Sequence, residues 1–158
     1  MNKINKTNEI NKKKEIRTFV LNREEKEAII NTISRVLSKE EVIILAFLYG
    51  SFLEDGAFRD IDIGVFIKRE EPLSPFFEFE LEEKLSKTIP PGIPIEVRVV
   101  NKAPVTFLYH VITGKLLVCK DRECFANIVT TVARRYQDLE PVLEHYTKEA
   151  YNETGKQG

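Results

Sequence analysis

The 158-residue chain has few cysteines and no long apolar run, and both absences exclude classes of protein. Its two cysteines, Cys119 and Cys124, are too few for a disulfide framework, and their spacing matches neither redox nor zinc motifs. The longest apolar run, Val42 to Tyr49, is far shorter than the roughly 20 residues that cross a bilayer. The N-terminus lacks the apolar centre of a signal peptide, so we expect a cytoplasmic protein.

Charge is nearly balanced overall but is unevenly distributed along the chain. Lys and Arg number 24 against 25 Asp and Glu, whereas residues 1–17 hold six basic and two acidic side chains. This segment has no hydrophobic period, so residues 1–20 are predicted to form a flexible basic tail ahead of a domain over 21–158. A basic tail can bind nucleic acid, but a solvated terminus is commoner, and no basic stripe follows it. We therefore expect no direct binding to nucleic acid.

Helical and strand patterns alternate through the predicted domain. Asn22 and Glu25 form a predicted capping box ahead of the first helix, and Ser74 is the predicted cap of the second, with Pro75 at its first position. Asp121 is the predicted cap of a long helix. The predicted strands span 42–49, 60–67, 93–100 and 115–119, and the predicted helices span about 23–39, 75–86, 104–112, 122–139 and 141–151.

Two features of this pattern define the expected fold. Pro141 lies inside the last helical pattern, so a break is expected near Leu139, followed by a separate last helix. No repeat or linker divides the chain, and helices alternating with strands predict a layered α/β or α+β domain. We expect a mixed sheet of about four strands with helices packed on it.

Acidic residues occur on two predicted strands that are otherwise apolar. In segment 60–67, Asp60 and Asp62 alternate with apolar residues, which places both carboxylates on one face. Like charges this close raise each other's pKa and lose solvation, so a cation is expected beside them. Mg²⁺ prefers carboxylate oxygens and needs few protein ligands. If strand 93–100 is a neighbour, Glu96 adds a third carboxylate, and such a cluster can hold two ions.

The turn after the first predicted strand is a candidate phosphate site. Gly50 permits a close approach of the backbone, and a helix beginning at Ser51 would present free N–H groups to phosphate. A Gly-Ser pair alone is common in turns, and an Asp-x-Asp pair also occurs at strand ends and in sugar-nucleotide transferases. Together with Glu96, the two pairs favour a nucleotide and metal site over charges that only keep a strand edge soluble.

Other candidate ligands fit simpler roles. Arg59 and Arg98 lie beside the acids and could contact phosphate, but an ion pair is the expected role of each guanidinium. His110 and His145 do not combine with the cysteines in any zinc pattern, and we expect both to be ordinary structural or solvated side chains.

The order of these residues resembles the DNA polymerase beta-like nucleotidyltransferase superfamily, and more narrowly the minimal nucleotidyltransferase (MNT) family. The resemblance rests on the apolar strand, Gly50-Ser51, Asp60-Ile61-Asp62 and a later acid on a strand, and it covers most of the chain. It implies the polymerase beta-like fold, with ATP as donor and two Mg²⁺ ions. Gly50 and Ser51 would hold the triphosphate, Asp60 and Asp62 would bind the metal, and Glu96 would be the third acid and assist proton removal.

Two features depart from the family pattern. Eight residues separate Ser51 from Asp60, where MNT proteins usually have about ten, so the loop that shapes the nucleotide pocket is short. The third acid is Glu96 rather than Asp, as in the related kanamycin nucleotidyltransferases. This second departure changes the reach of the carboxylate but not its charge.

MNT proteins are commonly paired with a HEPN-domain ribonuclease in toxin–antitoxin modules, and they neutralise it by transferring AMP to a tyrosine. The resemblance therefore implies an antitoxin that modifies a HEPN-domain partner. Two alternatives stay open: an inactive binding module that covers its partner through helices near 125–146, and an aminoglycoside-type adenylyltransferase, for which the short chain offers little acceptor pocket. The sequence also leaves homo-oligomerisation open.

Overall fold

A computed structural model describes residues 16–68 and 72–155. In chain order the elements are α1 (Arg23–Ser38), β1 (Ile43–Tyr49), a 3₁₀ turn (Ser51–Leu53), β2 (Ile61–Ile67), α2 (Phe77–Ser86), β3 (Ile95–Val99), α3 (Val105–Ile112), β4 (Lys115–Cys119) and α4 (Arg122–Gly155). The four strands form one sheet in the order β3-β2-β1-β4. β1 is antiparallel to β2 and β4, and β2 is parallel to β3. The predicted mixed sheet of four strands with packed helices is confirmed.

Both faces of the sheet are buried. On one face, Ile61, Ile63 and Val65 of β2 pack in a cluster with buried residues of α1 and α2. On the other, Phe47 and Phe66 pack in a second cluster with residues of α3 and α4. β1 contributes to both clusters because it is apolar at every position, as expected of a central strand covered on two sides. The acids of β2 and β3 therefore emerge on the face covered by α3.

Two of the three predicted helix caps are present, and the third is wrong. Asn22 and Glu25 form the capping box of α1, and Asp121 Oδ1 accepts a hydrogen bond from the Cys124 N–H at 3.0 Å. α2 begins at Phe77 rather than at Pro75. Ser74 does not cap it, because Ser74 Oγ accepts from the Phe76 N–H within a turn that precedes the helix. β3 is also shorter than predicted.

The predicted break near Leu139 and the separate helix over 141–151 are wrong. α4 continues from Arg122 to Gly155 with Pro141 inside it. A proline lacks one N–H, and its ring displaces the carbonyl four residues earlier, which belongs here to Gln137. Residues 140–145 are all exposed, so water can satisfy this carbonyl. The helix therefore loses one hydrogen bond but continues through Pro141.

The ends of the predicted domain lie partly outside the described residues. Residues 1–15 and 156–158 are not described, so most of the predicted flexible tail falls outside the structure. Phe19 forms a two-hydrogen-bond bridge with Phe58, with N–H to O distances of 2.8 and 3.0 Å, and their rings lie 5.8 Å apart. The described chain is thus attached to the domain from Phe19 onwards. Among the described helices, none is both long and apolar enough to cross a bilayer.

Candidate functional site

Strand pairing brings the three predicted acids together. Asp62 on β2 and Glu96 on β3 are register partners in the parallel pair, and Asp60 immediately precedes β2 on the same face. One carboxylate oxygen from each residue lies within 4.8 Å of the others, and all three residues are partly exposed. In the described part of the chain, no other group of three or more His, Cys, Asp or Glu residues has its ligand atoms this close together. The condition set for Glu96, that its strand neighbours β2, is met.

The predicted Gly-Ser turn lies directly beside these acids. Tyr49 is the register partner of Asp62, so the residue that follows it, Gly50, reaches the acidic edge. Gly50 has a φ of +85°, and a β-carbon at this position would clash with Asp62 Oδ2. Glycine is therefore required here both for the backbone conformation and for the close approach. The turn that follows is closed by the Leu53 N–H to the Gly50 carbonyl at 3.2 Å, which leaves the N–H groups of Ser51 and Phe52 ahead of its first bond.

The positive charge near the three carboxylates does not balance their negative charge. Burial, together with the nearby charges of Asp60 and Glu96, raises the pKa of Asp62 to about 6, while the charge of Arg98 opposes this rise. Burial and the same acids raise the pKa of Tyr49 to about 12. The ionised form of Asp62 is thus less favourable than that of a free aspartate, and a bound cation would stabilise it.

Arg98 forms the ion pair that the sequence predicts for it. Its Nε and Nη2 atoms lie 2.7 and 2.5 Å from Glu96 Oε1, and its guanidinium lies 5.5 Å from the centre of the Phe107 ring. The hydrogen bond and charge of Glu96 raise the pKa of Arg98 above its usual value. Both nitrogens contact the same oxygen of Glu96, so Arg98 fixes the position of this carboxylate. Arg59 is exposed and, in the described ion pairs, has no carboxylate partner.

Two residues at the site are not among those that the sequence predicts. The sequence indicates Tyr49 only as part of an apolar strand, but its ring contacts Phe107 and His110 edge-on at 5.7 and 5.4 Å beside the acids. Its position directly before Gly50, one strand from Asp62, was the available signal. Lys26 of α1 binds the carbonyls of Phe52 and Glu54 in the loop after Gly50, and no sequence pattern connects these positions.

Several solved structures share the fold of this chain. A chain of the tri-AMPylated Shewanella oneidensis HEPN toxin in complex with MNT antitoxin is 20% identical, with a TM-score of 0.59 over 79% of this chain and 98% of that chain. A chain of the toxin–antitoxin MntA-HepT is 20% identical, with a TM-score of 0.57 over 78% and 97%. A chain of the toxin–antitoxin with AMP-PNP is 21% identical, with a TM-score of 0.59 over 77% and 97%. Identities this low demonstrate a common fold only.

Sequence comparison identifies the family. Curated protein sequences include no significant match to the chain. Residues 31–123, more than half of the chain, match the family described as Polymerase beta, Nucleotidyltransferase. The matched range contains all five predicted site residues, and the four-stranded sheet that carries them is complete within it. The chain therefore belongs to the polymerase beta nucleotidyltransferase family.

Proposed function

We propose that the chain is a Mg²⁺-dependent nucleotidyltransferase of the MNT type, which transfers AMP from ATP to a tyrosine hydroxyl of a HEPN-domain partner. The observation that carries this proposal is the convergence of Asp60, Asp62 and Glu96 beside Gly50. Family membership supports the reaction type. The solved complex of a tri-AMPylated HEPN toxin with MNT antitoxin supports the partner, and the solved toxin–antitoxin with AMP-PNP supports the donor.

The three carboxylates fit a magnesium centre. Their oxygens are hard ligands at one partly exposed spot, so water and phosphate oxygens can complete the coordination. Cation binding would also offset the burial and the charge repulsion that raise the pKa of Asp62. We propose that Asp60, Asp62 and Glu96 together hold two ions, which would polarise the phosphate and stabilise charge on the departing pyrophosphate.

The backbone and side chains around the metal centre have separate roles in the proposed reaction. The backbone at Gly50 and Ser51 binds the triphosphate and holds its α-phosphorus near the acids. Glu96 accepts the proton of the acceptor hydroxyl, whose oxygen forms a bond to the α-phosphorus. The bond from that phosphorus to the β-phosphate oxygen breaks, and pyrophosphate leaves. Arg98 orients Glu96 through the ion pair, which keeps the accepting carboxylate at the edge of the site.

The reaction is proposed to take place in the cytoplasm, with the domain over residues 21–158 supplying the catalytic centre. The partner supplies its own recognition surface, because the described chain consists of one sheet and its covering helices. We expect the adjacent reading frame to encode a small all-helical protein of the HEPN type.

Nucleotide transfer to the co-expressed partner tests the proposal. With ATP labelled at the α-phosphate and Mg²⁺, we expect covalent label on the partner, and the Asp62→Asn chain should transfer more than about a hundredfold more slowly. Glu83→Gln, an exposed change on α2, is the matched control and should transfer normally. The absence of label with the unchanged chain, or undiminished transfer by the Asp62→Asn chain, would reject the proposed chemistry.

A second candidate function, neutralisation by covering the partner, is favoured by the far half of α4. Val142 and Leu143 are 48% and 37% exposed there, and an exposed apolar helix face is a common binding surface. An Asp60→Asn, Asp62→Asn double variant separates the two functions. If this variant still neutralises the partner in cells, binding is sufficient; if neutralisation is lost while the complex still forms, transfer is required.

A further inference from the structure

The loop that follows Gly50 is fixed at two buried aromatic residues. Phe52 and Phe58 are each 1% exposed, and their rings meet edge-on at 4.8 Å. Residues 53–57 between them are exposed. Only the two ends of this short loop are therefore held by apolar packing, and the backbone of the turn at 51–54 needs a further constraint.

Lys26 of α1 supplies that constraint. Its Nζ donates to the carbonyl oxygens of Phe52 and Glu54 at 3.0 and 2.9 Å, and it lies 5.3 and 5.4 Å from the centres of the Phe52 and Phe58 rings. One half-buried ammonium thus contacts the backbone of the turn and both aromatic residues that anchor the loop. Hydrogen bonds from a charged donor are stronger than those between neutral groups.

The polarity of the turn connects Lys26 to the candidate phosphate site. In a helical turn the carbonyl groups point toward its C-terminal end and the N–H groups toward its N-terminal end. Here the carbonyl of Phe52, within the turn, binds Lys26, so the opposite end of the turn, at Gly50 and Ser51, lies toward the acidic edge. A rotation of the turn that moved its N–H groups away from the phosphate would break both contacts with Lys26.

We propose that Lys26 is a positioning residue that holds the turn over 50–54 in the orientation that binds the triphosphate. The inference rests on the proposed nucleotidyltransferase function, and it explains how a loop with only eight residues between Ser51 and Asp60 keeps a defined phosphate site. Lys26 acts through the backbone of the turn and does not itself contact the nucleotide.

Three variants of α1 test this role. Lys26→Met removes the charge and both hydrogen bonds at similar volume, Lys26→Arg keeps a cation of sufficient reach, and Arg23→Met removes a cation that is 92% exposed on the same helix. We expect Lys26→Met to weaken binding of a non-hydrolysable ATP analogue with Mg²⁺ about tenfold, as the loss of charge-assisted hydrogen bonds would. Lys26→Arg should stay within about threefold of the unchanged chain, and Arg23→Met should bind normally.

Transfer kinetics and hydrogen exchange make the result specific. In transfer assays Lys26→Met should raise KM for ATP about tenfold with kcat within about twofold, a split that general destabilisation would not produce. Amide exchange of residues 51–54 should accelerate in Lys26→Met but not in Arg23→Met. Unchanged nucleotide affinity in Lys26→Met, or equal losses in Arg23→Met, would overturn the inference.

The inference can fail separately from the proposed function. If the unchanged chain binds no ATP analogue, the proposed function fails, while the exchange of residues 51–54 still reports whether Lys26 orders the turn. If Lys26→Met does not fold, Lys26→Ala, which removes both hydrogen bonds and favours the helix, takes its place. Normal nucleotide affinity and normal exchange in Lys26→Ala would then overturn the positioning role.

Discussion

The two ends of β2 differ sharply although they belong to one strand. At its start, Asp62 faces Asp60 and Glu96 in a partly exposed acidic cluster whose charges disfavour one another. At its other end, Val65 and Phe66 are buried on opposite faces of the sheet. The apolar end is arranged for stability, and the acidic end opposes it. The acids belong to neither apolar cluster, and we therefore propose that a bound cation and nucleotide account for their convergence.

The largest expected effect on stability comes from the apolar end. Phe66→Ala removes a side chain that is 5% exposed and packs edge-on against Phe47 at 6.1 Å. The Phe66 side chain also lines a cavity of about 450 Å³ beside α4. We therefore expect the free energy of unfolding to fall by about 3 kcal/mol, which is at the low end of the range for truncating a buried phenylalanine to alanine. Urea denaturation measures this change.

Nucleotide binding by the folded Phe66→Ala chain sharpens the contrast between the two ends. Phe66 lies four residues beyond Asp62, about 13 Å along an extended strand, so the affinity for an ATP analogue should change by less than about twofold. A large loss of affinity in the folded variant would show that the two ends of β2 are not independent.

A smaller effect is expected where the acidic end meets the turn. Gly50→Ala places a β-carbon against Asp62 Oδ2 at a φ of +85°, and it should cost about 2 kcal/mol of stability and weaken nucleotide binding. Gly56 is a matched control, because its φ is +93° but a β-carbon there meets no atom within 4 Å. Thermal unfolding should show a smaller loss for Gly56→Ala, with nucleotide affinity retained. Equal effects of both changes would mean that backbone strain, rather than contact with Asp62, determines the cost.

Local patterns in the sequence were sufficient to predict the four strands, the first three helices and the face on which the acids lie. Alternation in 60–67 separates Asp62 from Ile61 and Ile63, and the structure has the same division. The approach of Glu96 could be stated only as a condition, since parallel pairing of β2 with β3 joins strands separated by a whole helix. The contact of Lys26 with Phe52 could not be predicted, because it depends on how α1 packs against a distant loop.

Proline is the clearest case in which a local rule failed. Pro141 predicts a helix break wherever the lost hydrogen bond and the displaced carbonyl cannot be accommodated. In α4 the surrounding residues are exposed, so water accommodates both, and the helix continues. The exposure of that part of α4 is a property of the tertiary structure, and the local sequence does not report it.

The smallest expected effect is a gain in stability at the acidic end. In the folded chain the pKa of Asp62 is raised from 3.8 to about 6, first by burial and then by Asp60 and Glu96. The folded state therefore holds this proton more tightly than the unfolded state does. The protonated carboxyl thus stabilises the fold, and this stabilisation is fully present below about pH 4 and is lost as the pH rises through about 6. Asp62→Asn removes this dependence and, in metal-free buffer at pH 7, should stabilise the chain by about 1 kcal/mol after allowance for solvent screening.

Magnesium should make the unchanged chain more stable than the Asp62→Asn chain, the reverse of the order in metal-free buffer. Added Mg²⁺ at pH 7 should raise the melting temperature of the unchanged chain, because a ligand that binds only the folded state stabilises it, whereas the Asp62→Asn chain should respond little. Asp138→Asn, an exposed change on α4, is the control and should behave like the unchanged chain in both buffers. If Asp62→Asn were less stable than the unchanged chain without metal, the acids would be supporting the fold. The contrast between the two ends of β2 would then have a structural cause rather than a functional one.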